Sequence, residues 1–211
     1  MARYRGPRER IERRLGEKLN LKGERSRSPK SAMTKRPYPP GVHGQNFRRK
    51  VSEFGQQLQS KQKVRNIYRL MEKQFKAYIK KAVASQHNPY EEIIRALEQR
   101  LDNVVFRMGF AQSRDQARQL VGHGHILVNG KKVNIPSYSA KVGDVVSIRE
   151  GSKANVFMNS LMPVWLKNYD APVWISLDKE AYTAKIQGQP AVEESGVRPE
   201  DIQAIIEYYS R

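Results

Sequence analysis

Cysteine is absent from the 211 residues, which excludes a disulfide framework, a thiol nucleophile and any zinc or iron–sulfur centre built on thiolates. Long apolar runs are absent too: mean hydropathy is −0.74, and no stretch approaches the roughly 18 apolar residues that a spanning helix needs. The opening Met1-Ala2-Arg3-Tyr4-Arg5-Gly6-Pro7 has no apolar core for a secretory signal, and Glu9 and Glu12 interrupt what would otherwise pass for an Arg-rich transit peptide. Ser-His-Asp groupings, Walker loops and dinucleotide fingerprints are missing. Acidic residues are scarce. Asp and Glu number 21 against 39 Lys and Arg, a net charge of +18, and no compact fold needs that imbalance for its own stability. The expected partner is a polyanion.

The surplus is uneven. Residues 1–50 carry 16 basic and 4 acidic side chains, 51–100 carry 10 and 5, 101–150 carry 7 and 4, and 151–211 carry 6 and 8. The first quarter has few large apolar side chains, and Arg36-Pro37-Tyr38-Pro39-Pro40-Gly41 cannot continue a helix or a sheet ladder. Residues 1–45 therefore read as an extended basic arm that orders fully only against phosphates. Its candidate contacts are Arg3, Tyr4, Arg5, Arg8, Arg13, Arg14, Lys35, Arg36 and Tyr38. For His43, a phosphate or base contact and a turn-stabilising role are both open.

A helical region is expected over 46–98, which the segment 166–211 can complete. From Lys61 to about Gln86 the pattern reads as helix, with Val64, Ile67, Tyr68, Met71, Phe75, Tyr78, Ile79 and Val83 on one arc. Arg65, Arg69, Lys73, Lys76 and Lys80 form a separate stripe that only Glu72 interrupts. A merely solvated face would mix Glu with Lys at i, i+4, so the stripe is predicted to meet an anion, with Lys61 and Lys63 beside it. Tyr68, Phe75 and Tyr78 can stack on bases, but their spacing favours the core. Asn88-Pro89 caps the next helix, whose signal runs on to Met108 before Gly109.

Ser113 and Gln116 form a capping box for a short helix ending near Val121. His125–Val128 and Lys131–Val133 then read as a hairpin, because Asn129-Gly130 tolerates positive φ at both central positions. A strand over 142–148 follows. In the tail, Ala154–Leu166 is weakly helical up to Pro163, Val173–Leu177 reads as a strand, and Ile202–Tyr209 is undecided between helix and strand. Arg114 and Arg118, one turn apart, with Asn129, Lys131 and Lys132 on the hairpin loop, make a surface suited to a folded RNA, where readout falls on phosphates, 2′-hydroxyls and junctions.

At this stretch the chain resembles a known family. Arg100-Leu101-Asp102-Asn103-Val104-Val105, Ser113-Arg114 with Ala117-Arg118-Gln119-Leu120-Val121, His123-Gly124-His125-Ile126 and Val128-Asn129-Gly130 look like the RNA-binding module of bacterial-type small ribosomal subunit protein four. That module also occurs in some tRNA synthetases and pseudouridine synthases, so the flanks decide: Ala2-Arg3-Tyr4, Tyr38-Pro39-Pro40-Gly41 with His43-Gly44, Glu53-Phe54-Gly55, Lys61-Gln62-Lys63-Val64-Arg65, Lys73-Gln74-Phe75 and the closing Glu207-Tyr208-Tyr209-Ser210-Arg211 match the same family in order. The resemblance covers essentially the whole chain.

It implies an α+β protein: a helical domain plus a helix-and-antiparallel-sheet RNA-binding module over 99–165, with the basic arm in front and strands and a helix over 166–211. It implies a structural, non-catalytic constituent of the small (30S) ribosomal subunit that binds the 5′ domain of 16S rRNA, nucleates assembly of the subunit body and, with small-subunit proteins five and twelve, affects accuracy. Arg48, Arg49 and Lys50 lie where family members line the mRNA entry path. Arg100, Arg107, Ser113, Gln116, Gln119, His123 and His125 join the candidate rRNA contacts; for the two histidines, backbone contact or packing is favoured over a metal. Zinc-binding members carry four Cys at positions matching Glu9, Glu12, Ser26 and Ser31, so no metal or other cofactor is expected here, and neither a membrane nor a small-molecule substrate. Two rivals remain: a free translational repressor on its own mRNA, and an RNA-modifying enzyme, for which about 46 residues after the module are too few. The expected location is the cytoplasmic ribosome, or the plastid stroma if plastid-encoded.

Overall fold

The computed structural model describes residues 4–46 and 50–210. Its helices in chain order are α1 (Arg8–Leu15), α2 (Glu24–Arg27), α3 (Ala32–Lys35), α4 (Glu53–Ile67), α5 (Glu72–Val83), α6 (Pro89–Glu98), α7 (Leu101–Arg107), α8 (Arg114–Gly122) and α9 (Glu150–Lys153). After a π-helical turn at Phe157–Leu161 come α10 (Met162–Leu166), α11 (Val192–Ser195) and α12 (Pro199–Ser210). The strands are β1 (Ile126–Val128), β2 (Lys131–Lys132), β3 (Val145–Ile148), β4 (Ile175–Asp178) and β5 (Thr183–Ile186). The architecture is α+β. Two compact units divide the chain: one joins the residues up to Ile93 with those from Gly196 onward, the other is Ile94–Ser195.

In the first unit the expected single helix over 61–86 is two helices. The amide of Leu70 donates to Arg65 O and that of Arg69 to Asn66 O, the paired closure that ends helices through a left-handed residue. That residue is Arg69, at φ 55°, where glycine is usual; its guanidinium carbon lies 5.5 Å from the Tyr4 ring centre, and Nη2 donates to Tyr4 O. Periodicity runs through the break because Tyr68 and Leu70 stay buried on either side of it. Val64, Phe75, Ile79, Ile202 and Ile205 are fully enclosed in this unit. The undecided tail is the helix α12, with Pro199 at its start and Glu200 and Asp201 in the first turn.

The arm is not wholly extended. Three short helices, α1 to α3, fold it around Glu12, which is 1% exposed and accepts through Oε1 from the amides of Leu19 and Leu21, both at 3.1 Å. One enclosed carboxylate satisfies backbone donors that a charge-repelling arm would otherwise leave to water.

The second unit holds an antiparallel sheet of order β2-β1-β3-β5-β4. Leu127 pairs with Ser147, Val146 with Ala184, and Leu177 with Ala184. Alternation puts Ile126, Val128, Val146, Ile148, Ala184 and Ile186 on the buried face, in one apolar cluster with Leu101, Val105, Val121, Met158, Met162 and Leu166. β5 carries no sequence signal of its own, being four residues with two polar side chains. Pro163 lies in the first turn of α10 rather than ending a helix, since its missing N–H is not needed there.

Candidate nucleic-acid interface

The hairpin turn forms as its residues dictate. Asn129 at φ 51° and Gly130 at φ 74° are both left-handed, which matches the strand twist of a two-residue turn. The Asn129 side chain is spent on the scaffold: its Oδ1 accepts from Val145 N at 2.9 Å and its Nδ2 donates to Asp144 Oδ1 at 2.8 Å. That tie presents Lys131 and Lys132 on the edge strand, both exposed. The Lys132 stem lies so near Gly124 that a Cβ there would collide with it.

Beside them His123 is exposed, and its ring lies 6.0 Å from that of His125. His125 Nδ1 is 2.9 Å from Ser152 Oγ. Burial, then the charges of His123, Arg149 and Lys132, hold the His125 imidazole below the usual histidine range, so at neutral pH it is uncharged. Arg149, exposed beside His125, is a cation that the sequence reading did not include; its amide donates to His125 O. It is the residue immediately after the strand pattern 142–148, which was the available signal. With exposed Gln119 on α8, these side chains form a cationic rim on one unit.

Four arginine candidates and the cap residue Ser113 in this unit are not on that rim. Arg100 is 2% exposed and holds Asp102 through Nε at 3.1 Å and Nη2 at 2.7 Å. Arg107 grips Glu98, itself 1% exposed, through Nε at 2.9 Å and Nη2 at 2.8 Å. Arg114 donates to Asn103 Oδ1 at 2.7 Å and stacks 4.5 Å from the Phe106 ring centre, while Asn103 Nδ2 donates to Glu98 Oε2 at 2.6 Å. Arg118 is 6% exposed. Buried charge requires partners, and Arg100, Arg107 and Arg114 find them within this unit, so the structure does not set these guanidiniums on the exposed rim. Ser113 is likewise buried, its Oγ accepting from Gln116 N at 3.3 Å. The Gln116 side chain accepts from Gln112 N, so the capping box is displaced by one residue.

In the other unit Lys61 is enclosed, with its Nζ 2.9 Å from Glu72 Oε1 and 4.5 Å from the Tyr208 ring centre. Lys63 bonds Glu17 and Asp201, both at 2.8 Å; burial alone would lower its pKa, but these two carboxylates raise it. Arg69 is buried as described, and Arg65 lies 3.5 Å from Glu72. Lys61, Lys63 and Arg69 thus have bonding partners within this unit as well. Arg13 donates to the carbonyls of Arg36, Tyr38 and Pro39 and lies 5.0 Å from the Tyr38 ring centre, pinning the proline-rich turn. Arg8 is half-buried. Tyr4, Arg5, Arg14, Lys35, Arg36, His43, Lys50, Lys73, Lys76 and Lys80 are exposed. Asn46 Nδ2 sits 3.3 Å from His43 Nδ1. Arg3, Arg48 and Arg49 lie outside the described residues.

Of the four positions that match zinc ligands, Glu9, Glu12 and Ser26 are engaged by internal bonding, while the Ser31 hydroxyl is buried without a hydrogen-bond partner among the described residues. Glu12 Oε1 is taken by two amides, Ser26 Oγ accepts from Lys22 N at 3.0 Å, and Glu9 pairs with Arg25 at 3.3 Å and Lys22 at 3.7 Å. Two carboxylates and two neutral hydroxyls do not fit zinc. Elemental analysis after chelation should find no stoichiometric zinc; retention of one zinc per chain would reject this.

Two family profiles match the chain: Ribosomal protein S4/S9 N-terminal domain over residues 3–98 and S4 domain over residues 99–146. Similar curated proteins include the small ribosomal subunit protein uS4 of Thermotoga petrophila and of Thermotoga maritima, each 48% identical over 211 residues, and that of Kosmotoga olearia, 47% identical over 211 residues. In all three cases the match covers 100% of both chains.

Proposed function

The chain belongs to the uS4 family of small ribosomal subunit proteins, and from that premise we propose that it binds the 5′ domain of 16S rRNA, nucleates assembly of the subunit body, contacts small-subunit protein five, contributes with proteins five and twelve to accuracy, and with Arg48, Arg49 and Lys50 borders the mRNA entry path. Its role is binding and not catalysis. The observation that carries the reading is the rim of His123, Lys131, Lys132 and Arg149 on a rigid antiparallel sheet, free of the internal ion pairs that absorb Arg100, Arg107 and Arg114. Exposed Arg5, Arg14, Lys35 and Arg36 on the arm, with Lys73, Lys76 and Lys80 on α5, supply further phosphate contacts.

Phosphate contact makes the affinity salt-dependent. Replacing Lys131 and Lys132 with Ala should weaken binding to a 5′-domain fragment and lower the slope of log K against log salt by about 0.7–0.9 per lost phosphate contact. Filter binding across a salt series checks it; an unchanged slope takes the hairpin out of the interface.

A further inference from the structure

Within the first unit, α1 and α4 flank a groove of about 760 Å³, in the size range of small-ligand sites. Half-buried Ile11, Leu15 and Leu58 give it an apolar wall, exposed Arg10 and Arg14 stand with Arg65 around it, and no carboxylate is among the described lining residues, the Glu72 that lies 3.5 Å from Arg65 being outside the groove. The Nε of Arg65 is enclosed without an acceptor among the described residues. Amide side chains, Gln59 and Gln62, line the same space.

We propose that this groove receives one unstacked nucleotide of the bound RNA, its base against Ile11, Leu15 and Leu58 and its flanking phosphates on Arg10, Arg14 and Arg65. The inference rests on the RNA-binding reading and adds a base-accepting site to it. Sequence-specific RNA recognition takes splayed single-stranded bases, which need a flat apolar or guanidinium surface for the ring and donors for its edge. The groove offers both, with cations close enough to follow the backbone. A bilayer would not enter a concave site, and an acidic peptide would use the arginines while leaving the apolar wall unmatched. Arg10 and Arg14 lie one turn apart on α1, so the cations are set by one helix.

The test uses the full chain and a 5′-domain RNA fragment. Gln59 is exposed, so Gln59→Trp fills the groove without changing charge; Arg14→Gln removes one exposed cation. Gln59→Trp should weaken binding at least about tenfold with the salt slope unchanged, whereas Arg14→Gln should flatten the slope by about 0.7–0.9. Chemical probing of backbone flexibility should show an unpaired nucleotide protected by the unaltered protein and released by Gln59→Trp. Wild-type affinity and protection with Gln59→Trp, or an Arg14→Gln slope equal to wild type, overturns the groove and leaves the RNA-binding reading standing. If the unaltered protein does not bind the fragment, both fall.

Discussion

Replacing Glu98 with Ala should destabilise the Ile94–Ser195 unit by about 3–5 kcal/mol, the usual cost of removing one member of a buried ion pair. The carboxylate is 1% exposed and accepts from Arg107 twice and from Asn103 once, and Asn103 in turn accepts from Arg114. Without it, the guanidinium of Arg107, 15% exposed as a side chain, keeps its charge in a site that no longer compensates it. Arg107 also donates to Ser195 O at 2.8 Å, so the end of the unit loosens with it. Denaturant unfolding monitored at Trp165 and Trp174 measures the loss; a change below about 1 kcal/mol would mean that water replaces the carboxylate readily, contrary to its burial. Glu98→Gln should recover part of the stability, because the amide oxygen can still accept although the charge is gone.

Ending the chain after Arg198 should abolish cooperative folding of the other unit. This removes Ile202 and Ile205, both fully enclosed, and truncating either one to Ala alone would cost about 2–5 kcal/mol out of a typical total of about 5–15 kcal/mol. It also removes the rings that cover Lys61: Tyr208, which packs 5.6 Å from Phe54, and Tyr209, which donates to Glu72 Oε1 at 2.7 Å. Limited proteolysis should then cut within α4 and α5 while the sheet-bearing unit resists; protection of α4 in the shortened chain would reject the prediction. The same cluster responds to acid. Burial alone would raise the Glu72 carboxyl, but the bonds from Tyr209 and Lys61 hold it below the usual range. Its contribution is therefore present above the ordinary carboxylate pKa and lost as pH falls through the lowered value, and it is modest because the Glu72 side chain is 43% exposed.

Much of the local structure was legible. Asn129-Gly130 specified its turn through two positive φ values, Ser113 its cap, and Asn88-Pro89 the start of α6, where Asn88 Oδ1 accepts from Tyr90 N at 3.1 Å. The break at Arg69 was not legible, because an arginine in a left-handed turn has no local signature and is held there by Tyr4, a residue 65 positions away in sequence. The buried carboxylates misled in the same way. Arg100, Arg107 and Arg114 recur every seven residues in a basic chain, a pattern that fits an RNA-facing stripe as well as a framework; only the positions of Asp102, Glu98 and Asn103 decide between them. Arg149 was missed because its place beside His125 depends on β3 pairing with β1.

The sequence alone determined the absence of thiol chemistry, the polyanion partner, the helical and hairpin segments and the family to which the chain belongs, because charge balance, turn chemistry and motif order are properties of the chain as written. The tertiary structure decided which cations remain for that partner. Burial makes a partner obligatory for a charge that lacks water, so Arg100, Arg107, Lys61 and Lys63 are drawn into the fold, and the exposed cations are those that the packing leaves at the sheet edge, along the arm and on α5.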